Sequence, residues 1–214
     1  MSSEPHTVTT SPAQAHVRPT GPGSVGSLGR GSIERRRAAL SPSRAKDFMQ
    51  CPLMFRLRTV DRLPEPGSLA THKGTVVHGV LERLYDLPAS DRRPETALDL
   101  LPSQWESHRE KNPEVMELFE DSAGVESWLD EARGLIRTYF TLENPQRLEP
   151  AERELFVQTE TGDGLLLRGF VDRLDVAPDG AMRVVDYKTG RSPGTRFMEE
   201  ALFQMRFYAL VLWR

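Results

Sequence analysis

Three charged residues in the C-terminal third of the chain have types and spacing suited to chemistry. Asp186 and Lys188 lie two apart in AMRVVDYKTG, an alternating run that reads as a strand. Residues two apart on a strand project from the same face. Asp172 lies in the preceding alternating run, GLLLRGFVDRLDVA, and Pro178, Asp179 and Gly180 separate the two. A three-residue connection with Gly180 in the left-handed conformation centres the pairing on Asp179. Asp172 then faces Asp186 directly, with Cβ atoms about 5 Å apart. A two-residue Asp-Gly turn would send them to opposite faces, so the odd-length loop is the expectation. Two facing carboxylates repel and raise each other's pKa. With Phe170, Leu174 and Val184 as apolar neighbours, such a pair is costly without a cation between them. Oxygen ligands favour a hard divalent ion, Mg or Mn. Such an ion lowers the pKa of water and polarises a phosphoryl oxygen, while Lys188 steadies the attacking water and the charge at phosphorus. The same three residues also read as an ion-paired surface hairpin, because Asp-x-Lys is a common tripeptide.

The elements that must position this hairpin lie on both sides of it. Upstream, KGTVVHGVLERLYDL has helical period from Lys73, with Val77, Leu81, Leu84 and Tyr85 on one stripe. His78 and Glu82 stack four apart beside that stripe. Before it, LSPSRAKDFMQCPLMFRLR opens the ordered chain. Ser41 or Ser43 serves as helix N-cap, Pro42 suits a first helical position, and Ala45, Phe48 and Met49 share a face. Pro52 punctuates that run, and residues 61–72 read as a loop. Between 88 and 150 the clearest helices surround Trp105 and run from Val125 to Leu142. ERELFVQTE adds a strand before the hairpin, with Gly162, Asp163 and Gly164 between, and a last helix runs from about Thr195. Helices, an antiparallel meander and a helix make an α+β domain: a central mixed sheet flanked by helices, behind a helical N-terminal half.

Composition bounds the rest. The 214 residues hold 28 Lys+Arg and 31 Asp+Glu, and a net charge of -3 does not advertise nucleic-acid binding, although a local basic groove can exist on a neutral protein. Residues 1–38 are Ser-, Pro- and Gly-rich with few large apolar residues, so they are expected to be a disordered arm. Arg35, Arg36 and Arg37 end it as a solvated flank or a phosphate-contacting arm. The folded domain is expected over 39–214. No apolar run is long enough for a transmembrane helix, and no signal core is present, so a soluble cytoplasmic protein is the default. The chain stops on apolar VLWR without a cap, which suggests a fragment or a final helix that docks elsewhere.

Four motifs in order, GTVVHGVLERL, GFVDRLDV, VVDYKTG and QMRFY, resemble the RecB-type exonuclease branch of the PD-(D/E)XK nuclease superfamily. CRISPR adaptation nucleases and AddAB-type helicase-nucleases are similar. The resemblance spans roughly residues 40–214. It implies a restriction-endonuclease-like core with Asp172, Asp186 and Lys188 as catalytic residues. His78, Asp172, Asp186 and the Tyr187 main-chain carbonyl would be metal ligands. Gln204 and Tyr208, four apart on the last helix, would border the site and position DNA or the lysine. Glu82 and Glu154 are weaker candidate acids, and Arg173 is expected to face away from Asp172 in a structural ion pair.

Some relatives hold a 4Fe-4S cluster through one cysteine before these motifs and three after, and Cys51 matches the first. It is the single cysteine of the chain, so a cluster would need three more thiolates from a missing C-terminal segment. The expected function is metal-dependent DNA hydrolysis, more as an exonuclease on ends or single strands than as a site-specific cutter. It would serve repair, recombination or processing, with a possible helicase or recombination partner. Two other readings are open: a non-catalytic DNA-binding scaffold on the same fold, and a phosphoesterase on small substrates. An open, basic cleft separates the polymer readings from a closed pocket.

Overall fold

A computed structural model describes residues 39–190 and 195–213. The arm expected over 1–38, with its arginine run, lies outside the described residues.

Helix α1 (Pro42–Gln50) starts where the sequence suggests. The Ser41 hydroxyl accepts the Arg44 N–H at 3.3 Å, and Pro42, which has no N–H to satisfy, takes the first position. Ala45 on the expected face is buried, but Phe48 and Met49 remain 54% and 62% exposed. Pro52 opens the short α2 (Pro52–Phe55). Helix α3 (Leu69–Leu84) begins four residues earlier than its apolar period indicates. Ser68 caps it by accepting the Thr71 N–H at 3.2 Å, so the end of the expected 61–72 loop is the first turn of a helix. The stripe of Val77, Leu81, Leu84 and Tyr85 is buried as its spacing requires. It packs with Leu101 and Trp105 of α4 (Pro94–Lys111) and with Trp128 and Ile136 of α5 (Ser122–Leu142). Truncating one such buried aliphatic to alanine costs about 2–5 kcal/mol.

The sheet is mixed. Its central strand is β3 (Leu166–Val176). Strand β2 (Glu152–Glu160) runs antiparallel along one edge. The other edge is shared by β1 (Ala39–Leu40), parallel, and β4 (Met182–Val185), antiparallel. Both hairpins use the same device. Thr161 N–H donates to Leu165 C=O and Ala177 N–H to Ala181 C=O, leaving three residues in each loop. The third is a glycine at positive φ: Gly164 at 85° and Gly180 at 84°. Glycine takes that conformation without a Cβ clash. The odd-length hairpin loop is therefore present. One face of the sheet packs on α6 (Thr195–Trp213), where Phe207, Tyr208 and Val211 meet Val157, Leu167 and Val171. The architecture is α+β with a mixed sheet flanked by helices.

Candidate active site

Strand β3 delivers Asp172 and Arg173 to opposite faces. Arg173 is fully buried and has turned away from Asp172, as expected. Its guanidinium donates to both Glu143 oxygens at 2.5 and 2.9 Å, to Asp175 at 3.0 Å, and to the Tyr85 and Tyr187 hydroxyls at 2.9 and 2.8 Å. A buried guanidinium needs this many acceptors, because an unpaired charge in the interior is expensive. The Tyr187 ring is held in place by that cluster.

The Tyr187 peptide unit does a second job. Its N–H donates to Asp172 Oδ2 at 2.6 Å, and its carbonyl accepts from His78 Nε2 at 2.7 Å. His78 Nδ1 lies 3.6 Å from the same Asp172 oxygen. Helix α3 thus places its histidine where β3 and the end of β4 converge. Gly74, one turn earlier on α3, leaves room for the approach: a Cβ there would sit 3.1 Å from the Thr189 hydroxyl, tighter than an ordinary contact. Burial pushes the Asp172 carboxyl up, and Asp186 pushes the same way, while His78, the Tyr187 N–H and Lys188 pull it down.

Glu154 completes this group. One ligand atom each from His78, Glu154 and Asp172 fall within 4.8 Å of one another. The β2–β3 ladder pairs Arg153 with Arg173 and Leu155 with Val171, so Glu154 stands across from Asp172. Its backbone takes a φ of 45°, in the left-handed region that costs an ordinary residue about 1–2 kcal/mol. Partial burial, Asp172 and Glu82 push its carboxyl up. One imidazole and two mutually repelling carboxylates form a donor set that fits a hard divalent cation. By sequence Glu154 is only a weak candidate, yet its pairing carries a signal. A three-residue loop centred on Asp163 places Glu154 opposite Asp172, just as one centred on Asp179 places Asp186 there.

The second acid has different partners. The β3–β4 ladder ends at Arg173–Val185, one pair short of Asp172 and Asp186, in the expected register. The Asp186 carboxylate takes Lys188 Nζ at 2.6 Å and the Gln204 amide at 2.7 Å. Lys188 also donates to Gln204 Oε1 at 3.0 Å, and Tyr208 Oη lies 3.4 Å from Gln204 Nε2. The glutamine side chain therefore holds carboxylate and ammonium together through its two ends. Asp186 is 9% exposed at its side chain but Lys188 is 58% exposed, so the ammonium faces solvent. The apolar surroundings expected for the acid pair are only partly realised: Leu174 is buried, while Phe170 is 56% exposed. Cys51 sits half-buried between α1 and α2, and a lone thiol does not fit a four-iron cluster.

Comparison with known proteins bears on the family. The chain is 27% identical over 199 residues to the Gene 69 protein of Mycobacterium phage D29, covering 80% of this chain and 68% of that one. It is 27% identical over 120 residues to a subunit of the ATP-dependent helicase/deoxyribonuclease of Streptococcus pyogenes serotype M49, covering 55% of this chain but 11% of that protein. The corresponding protein of Streptococcus equi subsp. zooepidemicus is 27% identical over 153 residues, covering 71% of this chain and 14% of its own length. These likenesses support the RecB-type branch. Residues 39–214 match the PD-(D/E)XK nuclease superfamily as a whole, and the chain belongs to that superfamily.

Proposed function

We propose that this chain is a metal-dependent deoxyribonuclease that degrades DNA from ends or along single strands. The observation that carries the reading is the meeting of His78, Glu154 and Asp172 within 4.8 Å, beside the Asp186–Lys188–Gln204 clamp. Asp172, His78, Glu154, Asp186 and the Tyr187 carbonyl would hold Mg or Mn, which when bound activates water and neutralises phosphate charge. The protein's own contribution is positioning and electrostatics. Gln204 fixes the rotamers of Asp186 and Lys188 and so prepays their ordering. The exposed Lys188 ammonium neutralises charge on the scissile phosphate and orients the attacking water. Tyr187, locked by Arg173, keeps Asp172 and His78 in register.

The helicase partner rests on similarity to the helicase/deoxyribonuclease proteins, while the preference for ends and a role in repair, recombination or processing rest on the RecB-type resemblance of the four motifs. Action on DNA in the cytoplasm belongs to the same proposal. No helix among the described residues is long and apolar enough to cross a membrane. The folded unit is proposed to be residues 39–214 behind the N-terminal arm.

The test is degradation of end-labelled single- and double-stranded DNA with Mg, Mn or EDTA. Cleavage is expected only with metal, and Asp186→Ala and Lys188→Ala should each lower it on the order of 10²–10³-fold or more. A folded protein that binds DNA yet never cuts with either metal would instead be a scaffold.

A further inference from the structure

The sheet face that carries Glu154 and Asp172 continues outward as a row of side chains from β2 and β3. One step along, Phe156 and Phe170 are paired across the strands, with ring centroids 5.2 Å apart and planes inclined at 53°. They are 48% and 56% exposed. One step further, Gln158 pairs with Arg168, and both are exposed. Among the described residues, no ion pair engages Arg168. The opposite face, through Val157, Gly169 and Val171, is buried under α6. Each step of two residues advances about 7 Å, so the row of carboxylates, aromatic rings and guanidinium spans about 14 Å.

A solvated strand face would carry polar residues at the positions of Phe156 and Phe170, and two adjacent rings left open to water there call for an occupant. The candidate occupant must present flat apolar surfaces to the rings and negative charge to Arg168. It must also run on into the acid cluster without a break. An unpaired DNA strand has these properties, since every base has a π-face and every nucleotide a phosphate. A duplex does not, because its base faces are stacked inside. Resting on the nuclease reading above, we propose that Phe156 and Phe170 form a stacking platform for the bases next to the scissile phosphate, with Arg168 pairing a backbone phosphate. The platform makes unpaired DNA the substrate that reaches the acids, and duplex ends must fray to use it. Phe156 and Phe170 are positioning residues, touching bases rather than the reacting phosphate.

The test is binding of the full chain to a fluorescent single-stranded deoxyoligonucleotide, read by anisotropy in EDTA. The same length of strand lacking all its bases serves as the comparison. Phe156→Ala with Phe170→Ala should weaken binding of the intact strand about tenfold or more and leave binding of the abasic strand unchanged. Leu at both positions keeps apolar bulk without a π-face and should show the same pattern in smaller measure. Arg168→Ala should weaken both strands and reduce the slope of log affinity against log salt by about 0.7. Unchanged binding by the Phe variants, equal losses on intact and abasic strands, or a wild-type chain that binds no single strand would each overturn the platform. Cleavage with metal, compared against Asp186→Ala, is scored separately. The platform can therefore fail while the nuclease stands, or stand as a binding surface while cleavage fails.

Discussion

At the scale of single residues, Glu154 shows what the site costs the fold. It holds a left-handed backbone and places a carboxylate against Asp172 and near Glu82. The backbone is a steric cost and the repulsion is unfavourable without a cation, which is the pattern expected where strain is kept for function. Glu154→Gln removes the repulsion while keeping the shape. The metal-free variant should melt higher than wild type. Solvent around Glu154 screens the effect to below about 1 kcal/mol, or no more than about 2–4 °C. Calorimetric titration with Mn should show weaker binding by the same variant, and a lower melting temperature without metal would contradict the account. Asp172, Asp186, Lys188 and His78 could be picked out from residue type, spacing and motif order. Glu154 was harder because no motif marks it: its place depends on its pairing across the hairpin with Asp172 on the next strand. The resemblance already set Gln204 beside Lys188, but its amide bond to Asp186 was out of reach, since rotamers on separate elements leave no periodicity.

At the scale of elements, most of the fold was legible where local chemistry decides it. Ser41 and Pro42 start α1, and Gly180 sets the register that aligns Asp172 with Asp186. One strand and one helix boundary escaped. Strand β1 has two residues, too few to show alternation. The start of α3 is set by the Ser68 cap rather than by apolar period. The glycine of GFVDRLDV has a packing reason that alternation alone does not reveal. A Cβ at Gly169 would lie 2.8 Å from the Tyr208 ring, so the glycine lets α6 lie close on β3 and bring Gln204 to Asp186. Gly169→Ala should push the helix outward. Overpacking of this kind costs about 1–3 kcal/mol. Urea denaturation should show that loss, and the cleavage rate under native conditions should fall as well. Full activity in a destabilised variant would mean that α6 does not position the clamp.

At the scale of the whole molecule, the helical core has its own weak point. His72 Nδ1 and His108 Nε2 share a hydrogen bond of 2.9 Å, while the buried His72 Nε2 has no partner among the described residues. Burial lowers the His108 pKa, His72 and Lys111 push it down further, and Glu114 opposes them. A histidine whose native pKa is depressed stabilises the fold above its unfolded pKa near 6.5, and that stability is lost as pH falls from there toward the native value. Melting temperature should therefore drop between pH 7 and pH 5.5, and His108→Gln should flatten the drop. Equal pH profiles would place the acid sensitivity elsewhere. The Arg173 cluster bears on a different matter. One guanidinium joins Glu143 at the end of α5, Tyr85 just past α3 and the Tyr187 ring, while the Tyr187 peptide holds both Asp172 and His78. An error in assembling the two halves of the molecule would thus leave the scissors open. Correct assembly of α3, α5 and β3 is therefore what arms the proposed site.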